Sequence, residues 1–166
     1  TRAFRFISSP VTTTVSCGKP TIQDNLQEGG QITDIENTPV VDPNPGYGIH
    51  ITGSTTGANG FDATNTGNTS MFTFAESTQA WVNIPNTDID GLSSGQSFLS
   101  LIRGSRALDL TVDNIQFGPD TRLRFTGELA TGDWSVESSD LDPDLEDFSF
   151  IGNPYQAQID LKAFLE

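Results

Sequence analysis

The stretch from residue 71 to residue 112 constrains the fold of this chain more than any other. Alternation of apolar and polar residues with a period of two places the apolar side chains of a strand on one side, and short turns return the next strand antiparallel. Such runs, separated by polar turns, lie at residues 71–74, 80–84, 98–103 and 108–112. The stretch therefore predicts an antiparallel sheet with one buried face.

The rest of the chain predicts further strands and little helix. Alternating or β-prone segments lie at residues 4–7, 11–16, 47–52, 121–127, 133–136 and 148–151. Helical spacing of apolar residues is confined to one turn at residues 21–27 and to the tail at residues 159–165. We therefore expect an all-β fold, an antiparallel β-sandwich or jelly-roll-like module with long loops and little helix.

Residues 29–70 are expected to form a long loop region, because glycine and proline interrupt them repeatedly. A structureless loop of this length is uncommon in a compact domain. Two alternatives stay open for residues 53–70, which are rich in Gly, Thr, Asn and Ser. They form either a flexible linker or an ordered loop that is packed by Phe61.

A short sequence pattern that occurs twice bears on domain organisation. Residues 4–10 and 148–154 share the pattern Phe-x-Phe-Ile-x-x-Pro. We expect residues 1–147 to form the β-sandwich module. Residues 148–166 then form either the start of a second, related unit or a closing strand with a short helix. On the first alternative the polypeptide continues in nature, and the absence of an initiator methionine and of a signal peptide also favours a mature product or a piece of a longer protein.

The charge of the chain excludes some partners. Acidic residues outnumber basic ones by 22 to 8, for a net charge of −14. A nucleic-acid interface needs a stripe of Lys and Arg that displaces counterions, and an anionic membrane surface attracts the same residues. A nucleic-acid partner is therefore not expected. Since no apolar run reaches the roughly 18 residues of a membrane-spanning helix, membrane insertion is not expected either.

Few residues suit nucleophilic or zinc chemistry. The chain has one histidine, His50, and one cysteine, Cys17, which cannot supply the usual four nitrogen or sulfur ligands of zinc. A Gly-x-Ser-x-Gly motif does not occur. His50 lies between Ile49 and Ile51, which predicts a side chain on the opposite face, exposed or on an edge strand. We expect no catalytic residue and no enzymatic activity.

Calcium is the ligand that the acidic residues favour, and no other cofactor is expected. Carboxylates at alternate positions of a loop can place several oxygens around a hard cation. The alternative is that these loops are polar turns without an ion, and neither loop matches the full EF-hand pattern. The candidate ligands lie in two loops and are Asp88 and Asp90, followed by Gly91, and Asp140, Asp142 and Asp144.

Four aromatic residues are candidates for a carbohydrate-binding platform, on which sugar rings would stack. The alternative is that these residues belong to the core, because an aromatic ring buries a large apolar area. Their location decides between the two. The candidates are Trp81, Trp134, Tyr47 and Tyr155.

Several stretches resemble β-rich modules of large secreted and cell-surface proteins of Bacteroidota. The resemblance covers most of the chain and lies in residues 4–10, 50–53, 71–74, 78–88, 92–95, 98–104 and 152–156. It implies an extracellular or cell-surface location, export by type IX secretion and a role in adhesion or gliding. The partners that it implies are neighbouring domains of the same polypeptide and the type IX secretion machinery. It carries no catalytic residues, and the sorting domain of such proteins is not visible in this sequence.

The expected function is therefore that of a non-catalytic extracellular module of an adhesin-like protein. The alternative is a carbohydrate-binding module of a secreted polysaccharide-degrading protein, with surface glycans as ligands. Exposed, coplanar Trp and Tyr rings beside a groove would favour the alternative, and buried rings would favour the first.

Overall fold

The structure is a computed structural model of the chain. It describes residues 2–28, 46–106, 108–112, 115, 118–136, 141–142, 144, 146–160 and 162–163.

Strands dominate the regular structure of the described residues. The α-helix is α1 (Ile22–Leu26), and 3-10 turns lie at Val15–Cys17, Ala58–Gly60 and Glu76–Thr78. The expectation of a strand-rich fold with little helix is confirmed. The strands are β1 (Ala3–Ser8), β2 (Val11–Thr12), β3 (Thr52–Ser54), β4 (Asp62–Ala63), β5 (Met71–Ala75), β6 (Ala80–Asn83), β7 (Ser97–Ile102) and β8 (Glu128–Leu129).

The main sheet has four antiparallel strands in the order β1, β7, β5, β6. The 3-10 turn at Glu76–Thr78 joins β5 to β6, at the turn that the sequence predicts. Elsewhere β2 pairs antiparallel with β8, and β3 pairs parallel with β4. The predicted antiparallel sheet is confirmed.

The inner face of the main sheet packs on the hydrophobic core. Met71 of β5 and Phe98 of β7 are fully buried there. Their neighbours along each strand point to the other face, because side chains alternate across a strand. The other buried members of this core are Ile22, Leu26, Ile49, Ile51, Phe61, Ile84 and Leu92.

The helical turn predicted at residues 21–27 is confirmed as α1. The Thr21 hydroxyl accepts a hydrogen bond from the Asp24 backbone N–H (3.1 Å), and the Asp24 carboxylate accepts one from the Thr21 N–H (3.4 Å). This reciprocal capping satisfies N–H groups that would otherwise be unpaired at the start of the helix. Because Ile22 and Leu26 lie on one face, the short helix contributes to the core.

Three predicted strands do not form. In residues 108–112 the Asp109 carboxylate accepts hydrogen bonds from the Thr111 backbone N–H (2.8 Å) and hydroxyl (2.7 Å). This local turn replaces the expected ladder. Residues 133–136 and 148–151 are extended or irregular and belong to no strand.

Two further predicted strands form only in small part. Residues 121–127 make one isolated bridge, between Arg122 and Tyr47. At residues 47–52 only Thr52 belongs to a strand. The predicted sidedness of residues 121–127 is nevertheless correct, since Leu123 and Phe125 pack against the core while Arg122 and Arg124 are exposed.

Of the predicted loop region, residues 29–45 lie outside the described residues. Residues 53–70 are ordered by packing, because Phe61 is 5% exposed within the core. A methyl group on Gly53 would lie 3.1 Å from the Phe61 ring, so the backbone passes directly over it. Of the predicted tail helix, Lys162 and Ala163 are helical, and the apolar residues that define it lie outside the described part.

Candidate functional site

The outer face of the main sheet carries a row of aromatic side chains. The register pairs Phe6 of β1 with Leu99 of β7, and Phe74 of β5 with Trp81 of β6. These positions alternate with the buried ones, so their side chains point away from the core. We call this set, together with Phe150 from the later segment that lies against it, the aromatic face: Phe4, Phe6, Phe72, Phe74, Trp81 and Phe150.

The contacting rings of the aromatic face are inclined to one another. The pairs Phe74–Trp81, Phe74–Phe150 and Trp81–Phe150 have centroid distances of 5.2, 4.8 and 4.9 Å and interplanar angles of 68°, 46° and 66°. Phe6 lies 5.8 Å from Trp81 and 5.6 Å from Phe150, with its ring tilted by 37° and 31°. The two edge-to-face contacts, made by Trp81 with Phe74 and with Phe150, are favourable between aromatic rings. They do not form a coplanar platform for a sugar.

Much of this apolar surface faces solvent. Phe6 is 68% exposed, Phe4 is 49% exposed and Phe150 is 39% exposed. Phe148, next to the aromatic face, is 70% exposed. Contiguous apolar patches of this kind are uncommon on proteins that act alone and usually mark a binding surface.

The segment at residues 146–153 is fixed beside the aromatic face by polar contacts. The Gln79 side-chain amide accepts a hydrogen bond from the Phe148 N–H (2.8 Å) and donates one to the Phe148 carbonyl (3.1 Å). The Ser8 hydroxyl donates to the Asn153 carbonyl (2.7 Å). These contacts take the place of a strand ladder, which explains why the predicted strand at 148–151 does not pair.

A pocket of about 430 Å³ opens at one end of the aromatic face. Partial desolvation first, and then the negative charges of Asp142 and Asp144, raise the pKa of the exposed Asp147 carboxyl group. We call this site the acidic aromatic pocket, and it is lined by Phe74, Gln79, Trp81, Glu146, Asp147, Phe148 and Phe150.

The predicted carbohydrate platform is not assembled as one surface. Trp134 and Tyr155 line a common cavity of about 290 Å³, whereas Trp81 lines the acidic aromatic pocket. Tyr47 lies under the Arg124 guanidinium, whose carbon is 3.7 Å from the ring centroid. Trp134 is 39% exposed and packs on Gly95, where a methyl group would lie 2.7 Å from the indole ring.

Three of the predicted calcium ligands, Asp90, Asp142 and Asp144, accept hydrogen bonds within turns. The Asp90 carboxylate accepts from the Asn86 N–H (3.3 Å), and Asp88 is exposed. The Asp142 carboxylate accepts from the Asp144 N–H (3.0 Å). Asp140 lies outside the described residues, and within the described ones no cluster of three or more metal-binding side chains occurs. Calcium binding stays a prediction.

Sequence reasoning missed a buried ionic cluster. His50, Asp62 and Arg106 are at most 1% exposed. The His50 Nδ1 lies 3.0 Å from the Asp62 carboxylate, which also accepts from Arg106 Nε (3.2 Å) and pairs with Arg106 Nη2. Burial raises the pKa of Asp62, but the Arg106 charge and the His50 hydrogen bond outweigh it, so the pKa is lowered. No spacing in the sequence signals this cluster.

The prediction of an exposed or edge-strand His50 is wrong. Ile49, His50 and Ile51 are all buried, because the segment runs between two other parts of the core. The Ile49 N–H donates to the Leu26 carbonyl (2.8 Å), and the Ile51 carbonyl accepts from the Asp62 N–H (2.8 Å). Because other segments cover both sides of residues 49–51, neither side faces solvent. The alternation of apolar and polar residues therefore does not predict which of these side chains are buried.

A second ionic cluster centres on Glu28, whose side chain is 1% exposed. Arg124 donates from Nε and Nη2 to the two Glu28 carboxylate oxygens, each at 2.9 Å, while its guanidinium lies on the Tyr47 ring. Lys19 Nζ adds a third contact at 2.9 Å. Burial raises the pKa of Glu28, but Arg124 and Lys19 together lower it.

Comparison with known proteins gives no relative for this chain. No family model, curated protein or solved structure matches it significantly. In the described part of the chain, no helix is long and apolar enough to cross a membrane.

Proposed function

We propose that this chain is a non-catalytic module of a secreted or cell-surface adhesin-like protein, and that its aromatic face docks onto a neighbouring domain of the same polypeptide. The observation that carries the proposal is the exposure of Phe4 and Phe6 among the aromatic rings of one sheet face, where Phe4 contacts Phe72 and Phe6 contacts Trp81. Phenylalanine offers apolar area and no hydrogen-bonding group. Such a surface suits another protein better than a sugar, whose hydroxyls need polar partners.

The buried His50–Asp62 pair supports a non-catalytic role. A base and its orienting carboxylate occur in many hydrolases, where the base must reach a substrate. Here both side chains are 0% exposed, and Asp62 is also held by Arg106. The cluster therefore pairs the Asp62 carboxylate within the core, out of reach of a substrate, while His50 Nε2 is buried without a hydrogen-bond partner among the described residues.

Export by type IX secretion rests on the resemblance to surface proteins of Bacteroidota alone. The closure of the main sheet into a β-sandwich or jelly roll likewise belongs to this proposal. A sandwich would need a second layer over the core, and the short β2–β8 and β3–β4 pairs are the candidates among the described strands.

The test is photo-crosslinking in the natural, exported polypeptide. We expect a photoreactive phenylalanine at position 6 to give cross-links to residues of a neighbouring domain, identified by mass spectrometry. The matched control is position 15, because Val15 is 85% exposed and lies on a 3-10 turn rather than on the main sheet. Position 6 giving no more cross-linked product than position 15 would contradict the proposal.

A carbohydrate-binding function is the second candidate, and the cavity shared by Trp134 and Tyr155 favours it. Ile151, Pro154 and Ile159 complete its apolar wall, and the Tyr155 hydroxyl donates to the Gly132 carbonyl (2.7 Å) at its edge. If this cavity binds sugars, Trp134→Ala will abolish the enthalpy change on titration with a bound oligosaccharide. Trp81→Phe, which alters a different pocket, serves as the control.

A further inference from the structure

The acidic aromatic pocket combines two features that together select a ligand. Four aromatic rings, from Phe74, Trp81, Phe148 and Phe150, line it. Two exposed carboxylates, from Glu146 and Asp147, stand at the same opening. The faces of aromatic rings carry partial negative charge, so both features attract a cation.

The charge around this opening is negative. The ion pairs of Lys19, His50, Arg106 and Arg124 lie away from residues 142–147, whereas Asp142 and Asp144 lie close to Asp147. Desolvation first, and then the charges of Asp142 and Asp144, raise the pKa of Asp147. A positively charged group of a partner would reduce the negative potential that these carboxylates create.

The chemistry of the lining favours an organic cation over a metal ion. Calcium needs six to eight oxygen ligands, and the aromatic rings supply none. A guanidinium group can lie on an aromatic ring and donate to a carboxylate at the same time, because it is planar and has five N–H donors.

The chain contains this arrangement elsewhere. The Arg124 guanidinium lies on the Tyr47 ring, 3.7 Å from its centroid, and donates to both oxygens of Glu28. The acidic aromatic pocket likewise places aromatic rings beside carboxylates, but no arginine is among the residues that line it.

We propose that the acidic aromatic pocket binds the guanidinium group of an arginine presented by the neighbouring domain that docks on the aromatic face. This inference rests on the proposed function and names the chemistry of its partner. The rings hold the guanidinium plane, and Glu146 and Asp147 accept its hydrogen bonds. The rest of the aromatic face then packs against apolar side chains around that arginine.

The experiment uses acetyl-arginine amide as the probe and acetyl-citrulline amide as its neutral isostere. The protein carries Trp134→Phe, so that the remaining indole N–H signal belongs to Trp81. We expect the arginine probe to shift this signal, with half-saturation on the order of 10 mM at matched ionic strength. Citrulline should bind at least about tenfold more weakly, because it lacks the charge.

Substitutions at the rim separate this site from general attraction to an acidic protein. Glu146→Gln with Asp147→Asn should weaken arginine binding about five- to tenfold, since two carboxylates are lost. The control pair Asp88→Asn and Asp120→Asn removes the same charge from exposed residues outside the pocket and should leave binding unchanged. All four positions are exposed, and amide spectra verify that each variant is folded.

Three outcomes would overturn the inference. They are equal shifts with arginine and citrulline, equal losses in the rim and control variants, and a response of Trp81 to calcium chloride but not to the arginine probe. None of them removes the cross-links expected from position 6, because Phe6 lies outside the pocket lining. Arginine binding without those cross-links would instead contradict the proposed function.

Discussion

Asp62 shows how a single buried charge is accommodated. Its carboxylate receives hydrogen bonds from Arg106, from His50 and from the Ile51 N–H (3.3 Å). Arg106 in turn donates from Nη1 to the Gln27 carbonyl. A buried ion pair of this kind adds little net stability, but removal of one partner leaves the other charge uncompensated.

Arg106→Met should therefore lower the free energy of unfolding by about 3–5 kcal/mol. Methionine keeps most of the side-chain volume of arginine. The loss of stability therefore measures the cost of leaving the buried Asp62 carboxylate without its cation. Urea unfolding measures it. Arg122→Met is the matched control, because Arg122 is exposed and should change stability by no more than about 0.5 kcal/mol. Equal losses in both variants would show that the buried pair has no special role.

The lowered pKa values of Asp62 and Glu28 predict a pH dependence of stability. A carboxyl group with a lower pKa in the folded state binds protons more readily when unfolded. The stability that these two carboxylates contribute is therefore fully present above their ordinary pKa of about 4. It is lost as the pH falls through their folded-state pKa.

Glu28→Gln should lose less stability than the unmodified chain when the pH is lowered from about 5 to 2, because glutamine has no proton to gain. Thermal unfolding followed by circular dichroism at each pH measures this difference. The control is Glu76→Gln, since Glu76 forms no ion pair within the described residues. Parallel pH curves for the unmodified chain and Glu28→Gln would contradict the role of Glu28.

At the scale of elements, β1 and the segment at residues 148–154 show how one sequence pattern takes two structures. Both carry Phe-x-Phe-Ile-x-x-Pro. In β1, every residue pairs with β7. In the later segment the Phe148 backbone pairs with the Gln79 side chain instead, while Phe150 lies against Phe6. The repeated pattern therefore corresponds to similar apolar contacts in the two segments rather than to two equivalent strands.

Gln79→Ala should detach this segment. Gln79 adopts a left-handed backbone (φ 49°), which costs energy for a residue with a side chain, and its amide makes both hydrogen bonds to Phe148. Loss of the two bonds should reduce hydrogen-exchange protection of the Phe148 N–H by about 1–2 kcal/mol.

Gln79→Gly provides a second variant, since it relieves the backbone strain and still removes the amide. Both variants should lose the protection, while Thr78→Ala, in the same turn, should keep it. Retained protection in Gln79→Gly would show that the hydrogen bonds do not hold the segment.

Gly152→Ala should be destabilising by about 1–3 kcal/mol through crowding. A methyl group there would meet the Gly95 carbonyl and lie 2.5 Å from the Ser8 hydroxyl and 2.7 Å from the Ser97 hydroxyl. The double variant Gly152→Ala with Ser8→Gly should recover part of the loss in a urea titration. No effect of Gly152→Ala would mean that the segment does not pack on the sheet as described.

At the scale of the whole molecule, the strands of the main sheet carry almost none of the charge. They present Met71 and Phe98 to the core and the aromatic face to the other side, and their one charged residue is Arg5. All 22 acidic residues lie outside these strands, and the net charge of the chain is −14. Like charges repel in the compact state, and salt screens them.

Added salt should therefore stabilise the chain at pH 7. Raising sodium chloride from about 0.01 to 0.3 M shortens the screening length from about 30 Å to below 8 Å and should raise the melting temperature. The increase should shrink near pH 4, where the net charge is small because the pI is about 4.1. A fall of the melting temperature with salt at pH 7 would show that the ion pairs outweigh the repulsion.

The sequence by itself indicated the strands of the main sheet and the helical turn α1. Alternation at residues 4–7 and 71–74, the β-prone residues 98–103 and the capping residues at 21–24 can be read from the local sequence, although the strands themselves pair with distant ones, β1 with β7. Only the tertiary structure decided which face of the sheet is buried, where His50 lies and how Asp62 meets Arg106, 44 residues away. Alternation marks two faces of a strand but not which one meets the core, and pairing of charges across the chain depends on contacts that no local pattern encodes.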